Sequence, residues 1–176
     1  MEKLRTFLLI YIISIFQLIS QNQLPIQNGE MEDTENGFFS NWQTQANNDA
    51  NANFSISTDN LISGSTKALK SEVISLGDNN YDISTSSQYN FEVIAGQKYT
   101  VSFYAKIDDA TSRQLKIIFR SEIDNSFQGQ NIWITDSWQR YTHTFTVNES
   151  ANSNQLKFLF LNDEVTYYLD EVSVIP

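Results

Sequence analysis

The chain has 176 residues, 40% of them hydrophobic and 13% aromatic, with two prolines, no cysteine and a formal charge of −10. That length can bury one full core, and the lack of cysteine excludes a disulfide framework, so stability must come from packing or a bound metal. So acidic a surface repels phosphate backbones and anionic lipid, which excludes nucleic acid as a partner and leaves neutral or cationic ligands.

Taken in chain order, Lys3 and Arg5 precede a nearly unbroken apolar stretch from Phe7 to Ile19, closed by the small Ser20. Positive then apolar is the shape of a secretory signal, cleaved after residue 20. Gln17 interrupts the stretch, which is too short for the run of about 20 residues that a membrane span requires. The expected mature protein is therefore secreted, periplasmic or displayed at the cell surface, with no membrane span and one further unit of negative charge. Residues 21–27 read as a short polar lead and residues 28–176 as the folded unit.

No helical period of three to four residues is sustained anywhere in that unit. Runs rich in Ile, Val, Phe, Tyr and Thr, separated by Asn, Asp, Gly and Ser, predict strands over 53–58, 67–74, 89–94, 98–106, 114–121, 130–134, 140–147, 155–161 and 166–174. The Asn- and Ala-rich stretch 43–53 reads as loop. Ile94-Ala-Gly-Gln-Lys98 reads as a hairpin turn, with Gly96 free to take positive φ. Many short strands between turn clusters indicate an all-β fold, a two-sheet antiparallel β-sandwich.

Within the strands, period-two alternation separates core from surface. Tyr99, Val101, Phe103 and Ala105 share an apolar face against Thr100, Ser102, Tyr104 and Lys106. Tyr141, His143, Phe145 and Val147 do the same against Arg140, Thr142, Thr144 and Thr146. Most of the aromatic content is therefore packing, and His143 falls on the apolar side.

Four segments carry a family resemblance. Asn28-Gly-Glu-Met-Glu32, trailed by Gly37 and Trp42, is similar to an Asn-Gly-x-Phe-Glu opening, with Met31 where Phe is usual. Ala95-Gly-Gln-Lys-Tyr-Thr-Val-Ser-Phe-Tyr-Ala-Lys106, the strand from Trp138 to Thr146 and the closing Tyr168-Leu-Asp-Glu-Val-Ser173 follow in order. Together they resemble the carbohydrate-binding modules of families 4, 9 and 22. The resemblance implies a jelly-roll, galactose-binding-like sandwich that binds a neutral polysaccharide or oligosaccharide on an open sheet face. It also implies a structural Ca²⁺ held by Glu32 and Asp170 with backbone carbonyls near residues 67–69. Hard divalent cations take several oxygen ligands, and such an ion would tie the first and last strands together. Two solvated surface carboxylates are the alternative.

Sugar recognition needs an apolar plate for the C–H face of a pyranose and polar groups for its hydroxyls. Tyr104 and Trp133 are aromatics opposite core stripes, the latter between Ile132 and Ile134. Arg120, Gln128 and Gln130 are the expected hydroxyl partners, and Trp42 and Tyr81 are lower-ranked plates. Trp138 reads as packing at a strand entry.

Catalysis has few parts to draw on. Ser121-Glu-Ile-Asp-Asn125 resembles part of a family 16 glycosidase signature, but Ser126, Phe127 and Gln128 stand where the second Glu belongs, and retaining hydrolysis needs two carboxylates. There is no Gly-x-Ser-x-Gly and no phosphate loop. The expected protein is a non-catalytic sugar-binding module. The competing reading is a cell-surface adhesion or spacer sandwich that contacts protein without a sugar site.

Overall fold

The computed structural model describes residues 26–88, 91–121, 127–161 and 164–176. The signal-like segment 1–20 and most of the lead lie outside the described residues, as do 122–126, which hold the whole of Glu122-Ile-Asp124. Thirteen strands are present: β1 (Thr34–Glu35), β2 (Phe38–Phe39), β3 (Trp42–Ala46), β4 (Asn51–Ser57), β5 (Ala68–Ser75), β6 (Ile83–Ser87), β7 (Phe91–Val93), β8 (Lys98–Ile107), β9 (Arg113–Ser121), β10 (Phe127–Ile134), β11 (Gln139–Thr146), β12 (Ala151–Phe160) and β13 (Thr166–Ile175).

They form an antiparallel β-sandwich. One sheet has six strands in the order β10-β9-β12-β6-β3, with β7 also on β12. The other has five in the order β11-β8-β13-β5-β4, and β1 and β2 pair separately. Alternation fills the space between the sheets. Leu115, Ile117 and Phe119 of β9 and Leu156, Phe158 and Phe160 of β12 are buried in one core with Tyr99, Val101, Phe103 and Ala105 of β8. Rings join the layers edge to face: Phe103 meets Phe158 at 5.1 Å and Phe119 meets Phe145 at 4.9 Å between centroids.

The Asn28 to Glu32 opening is a lock rather than a strand. Asn28 Oδ1 accepts the backbone N–H groups of Glu32 and Asp33, while its Nδ2 donates to the carbonyls of Asp33 and Ser40. Val172 N–H donates to the Gly29 carbonyl at 2.8 Å. A Cβ on Gly29 would stand 2.1 Å from the Val172 carbonyl oxygen, so only glycine admits the last strand this closely. Met31 fills the position of the expected Phe and is fully buried.

Every predicted strand has a counterpart, with ends shifted by a few residues; 89–90 of the predicted 89–94 lie outside the described residues. Two local expectations differ. Part of the predicted loop 43–53 is strand, because β3 pairs with β6 from Trp42↔Ser87 to Ala46↔Ile83 and β4 begins at Asn51. The turn at 94–98 exists, with Gln97 N–H bonded to the Ile94 carbonyl and Gly96 at φ 78°. It is not a hairpin, because β7 pairs with β12 while β8 lies in the other sheet. The turn instead carries the chain across the sandwich.

Candidate functional site

The outer face of the six-stranded sheet is organised in cross-strand rows. Gly129, Ile118, Lys157, Ser86 and Gln43 are opposed pairwise from β10 through β9, β12 and β6 to β3. The next row is Asn131, Lys116, Leu159, Ser84 and Gln45. Arg120 and Gln155 are opposed on the other side of the first row. With strands about 4.8 Å apart, a row runs roughly 19 Å across the sheet. Ile118, Leu159 and Leu161 form a small apolar cluster on this outer side, separate from the main core.

Two hollows lie along these rows. One of about 440 Å³ is lined by Asn80, Tyr81, Lys116, Ile118, Arg120, Lys157 and Leu159. The other, of about 300 Å³, is lined by Gln43, Thr44, Gln45, Ser86, Arg120, Gln155 and Lys157. Arg120 and Lys157 belong to both. The floor is low where side chains are small: Ser84 and Ser86 of β6 are buried between longer neighbours, and a Cβ on Gly129 would stand 2.7 Å from Lys116 Cε. Tyr81 is 54% exposed at one rim. Lys157 Nζ donates to Gln45 Oε1 at 3.3 Å. Burial first, and the Arg120 charge second, hold the Lys157 amine below its ordinary value.

The structure distributes the residues singled out in the sequence over both sheets. Trp133 is on the outer face, opposite Gln114, and is 60% exposed. It lies four residues along β10 from Gly129, about 13 Å. Arg120 shares this face. Gln128 and Gln130 do not, since they oppose the core-facing Phe119 and Ile117 and have the parity of the fully buried Ile134. Tyr104 is half-buried on the outer face of the five-stranded sheet, opposite Arg140 and Asp170. It helps line a polar hollow of about 370 Å³ that includes Arg140, Glu30 and Glu171. Tyr104 and Trp133 therefore cannot meet one ring.

Trp42 is a core residue, contrary to its expected role as a plate. It is 6% exposed, packs on Phe158 at 6.2 Å and donates Nε1–H to the Asn28 carbonyl. A ring covered on both sides has no face left for a ligand. Trp138 meets Tyr168 edge-on and donates to the Asn60 carbonyl. Lys106 Nζ lies 4.4 Å over the same Tyr168 ring, so this part of the five-stranded sheet is roofed by its own side chains. Burial, then the hydrogen bond to the Asp108 carboxylate, raises the Tyr168 hydroxyl.

Glu32 and Asp170 flank the segment at Ser65 to Lys67. The Glu32 carboxylate accepts Thr66 N–H, the Thr66 hydroxyl and Lys67 N–H, and Lys67 Nζ donates to the Glu32 carbonyl. Slight burial pushes this carboxyl up, but the hydrogen bonds from Thr66 and Lys67 and the Lys67 charge together hold it below its ordinary value. Asp170 is fully buried, with Oδ1 accepting Glu171 N–H. Its Oδ2 lies beside the Ser65 hydroxyl, close enough for the hydroxyl to favour the charged carboxyl but without good hydrogen-bond geometry to it or to any other described group. Burial pushes the Asp170 carboxyl up to about 6; hydrogen bonding opposes this, and the charges of Glu171 and Glu32 add to it. Among the described residues no three acidic or histidine side chains converge on one point. A cation here would take two carboxylates plus hydroxyl and carbonyl oxygens, and the orphaned Asp170 Oδ2 fits such a donor set.

Sequence reasoning missed Lys116, Lys157, Gln43, Gln45 and the β6 serines. One signal was available: Ile118 and Leu159 are apolar at positions opposite the core stripes of β9 and β12, which marks an outer face that is not simply solvated.

A sequence-family model described as a carbohydrate binding domain matches residues 26–163, most of the chain. The chain belongs to this carbohydrate-binding domain family. No curated protein matches it. Among solved structures, a family 4 carbohydrate-binding module superposes with a TM-score of 0.68 at 22% identity, covering 86% of this chain and 99% of that one. The CBM22-1 xylan-binding domain of Xyn10C from Paenibacillus barcinonensis gives 0.60 at 14% identity, covering 88% and 94%. The arabinose-bound MgGH51 α-L-arabinofuranosidase gives 0.69 at 14% identity, covering 88% of this carbohydrate-binding domain and 26% of the enzyme. At these identities the likeness speaks for the shared β-sandwich.

Proposed function

We propose that this carbohydrate-binding domain is exported and holds a neutral polysaccharide or oligosaccharide backbone along the outer face of its six-stranded sheet, without cleaving it. The observation that carries the reading is the pair of contiguous hollows on that face. Apolar floor at Ile118 and Leu159, amides at Gln43, Gln45, Asn80 and Gln155, and exposed rings at Tyr81 and Trp133 supply what a pyranose needs. The described lining residues are amides, hydroxyls, cations and apolar side chains, the kind of surface that holds sugar hydroxyls and ring faces. The xylan-binding neighbour favours a neutral chain of linked pyranoses.

The Tyr104 hollow on the opposite sheet is the second candidate, with Arg140 as its polar partner. A Ca²⁺ ion at Glu32 and Asp170 completes the proposal, as a structural clamp remote from the groove. Affinity electrophoresis against the best hits of a glycan array separates the two faces. Loss of retention in Trp133→Ala or Tyr81→Ala, with Tyr104→Ala retained, is the expected result. Loss only in Tyr104→Ala would move the site to the five-stranded sheet.

A further inference from the structure

Both sheets have an open edge at the same end of the sandwich. Among the described residues β4 pairs with β5 alone and β3 with β6 alone, and these two edge strands lie against each other. Alternate residues of such an edge turn their backbone N–H and C=O groups away from the sheet, a template for another strand, which charge, proline or bulges ordinarily blunt. β4 reads Asn51-Ala-Asn-Phe-Ser-Ile-Ser57, with neither charge nor proline, and its register is regular from Ala52 to Ser57. β3, Trp42-Gln-Thr-Gln-Ala46, is uncharged too. In a chain of formal charge −10, such an edge lets two copies approach without setting like charges against each other. The apolar stripe of β4 is also incompletely covered: Ala52, Phe54 and Ile56 are partly buried against the core, whereas Leu69 and Val73 of β5 are fully in it. β10 is another uncharged edge, but Gly129 interrupts it, Ile134 at its end is fully buried, and the next carbonyl, of Thr135, accepts Ile107 N–H from the other sheet.

We propose that β4 is a self-association edge, on which β4 of a second copy pairs antiparallel about a two-fold axis. Such an interface is isologous and closes at a dimer, joining the two five-stranded sheets edge to edge. The added strand takes up the outward backbone groups and covers the exposed part of Phe54 and Ile56. Asp49 and Asp59 bracket β4 and are exposed, so the repulsion that remains between copies is screened by salt, and association strengthens as salt rises. The rows of the six-stranded face end on β3, beside this edge, so the dimer carries two grooves, and linked sites hold a polysaccharide more strongly than either alone. That consequence rests on the sugar reading; the pairing itself does not.

Sedimentation equilibrium over a range of protein concentration and salt, joined to amide hydrogen exchange, tests the pairing with no glycan present. The expected result is a monomer–dimer equilibrium that tightens with salt, in which alternate amides of residues 51–57 gain protection as the dimer fills. Ser55→Glu puts a carboxylate on the exposed side of β4 in both copies and should weaken the dimer about tenfold, with a thermal melt of the monomer confirming that the variant is folded. Thr144→Glu adds the same charge to the exposed side of β11 and should leave the dimer intact. A monomer at every concentration and salt overturns the proposal. So does a dimer that protects β10 or β11 and not β4, or one that Ser55→Glu leaves unweakened. On an immobilised polysaccharide Ser55→Glu should be retained less than wild type; equal retention overturns the linked-groove consequence alone.

Discussion

Trp133 and Trp42 sit on the two edge strands of the six-stranded sheet, and the side each ring takes decides its role. Trp42 points inward and holds Asn28, so Trp42→Ala should cost about 3–5 kcal/mol of stability, read from urea denaturation. Trp133 points outward at 60% exposure, so Trp133→Ala should change stability by no more than about 0.5 kcal/mol. The same substitution should weaken glycan binding by about tenfold, or 1.4 kcal/mol. A wild-type Kd in that variant would remove Trp133 from the site. The outward direction of Trp133 was legible because Ile132 and Ile134 bracket it. Trp42 was not, because Gln43-Thr-Gln-Ala46 offers no apolar partner to fix the phase, and its inward turn depends on β6 and Asn28, which are distant in sequence. The side taken by Gln128 and Gln130 was readable from the same isoleucines, whose parity they share.

At the scale of elements, the opening segment and β13 are fastened to one another. Gly29→Ala drives a Cβ into the Val172 carbonyl and should cost about 2 kcal/mol or more; an unchanged melting temperature would show that β13 can yield. The proposed Ca²⁺ clamp acts on the same pair of segments. Adding calcium should raise the melting temperature, exhaustive EDTA should lower it, and Asp170→Asn should abolish the difference. In EDTA the buried Asp170 gives a pH signature. Its folded value of about 6 lies above the ordinary range near 3.9, so the folded state binds this proton more tightly than the unfolded state. Stability from this group is therefore fully present below about pH 4 and is lost as pH rises toward 6. A melt series showing the opposite slope between those values, in wild type but not in Asp170→Asn, would contradict the assignment. The long alternating strands β8, β9, β11, β12 and β13 were legible because their apolar stripes are strong. β6 was hidden, because Ile-Ser-Thr-Ser-Ser is turn-like in composition and becomes a strand only between β12 and β3. Its buried hydroxyls are bonded there, Thr85 Oγ1 to the Gln43 carbonyl and Ser87 Oγ accepting Leu156 N–H.

For the whole molecule, charge and architecture point to different sites of action. The acidic surface sets what the protein avoids, while the two hollows shared by β3, β6, β9 and β12 on one sheet face form the proposed sugar platform. Composition alone could not reveal this face, because Lys157 of β12 comes beside Lys116 and Arg120 of β9 only through the β9–β12 pairing. The five-stranded face is partly roofed by Trp138, Tyr168 and Lys106, which leaves the six-stranded face as the broader platform. The most direct test of that assignment is backbone amide chemical-shift mapping during titration with the tightest array ligand. The account predicts shifts concentrated at Gln43, Gln45, Ser86, Ile118, Arg120 and Lys157. Shifts confined to Ser102, Tyr104, Arg140 and Ser173 on the opposite sheet would contradict it.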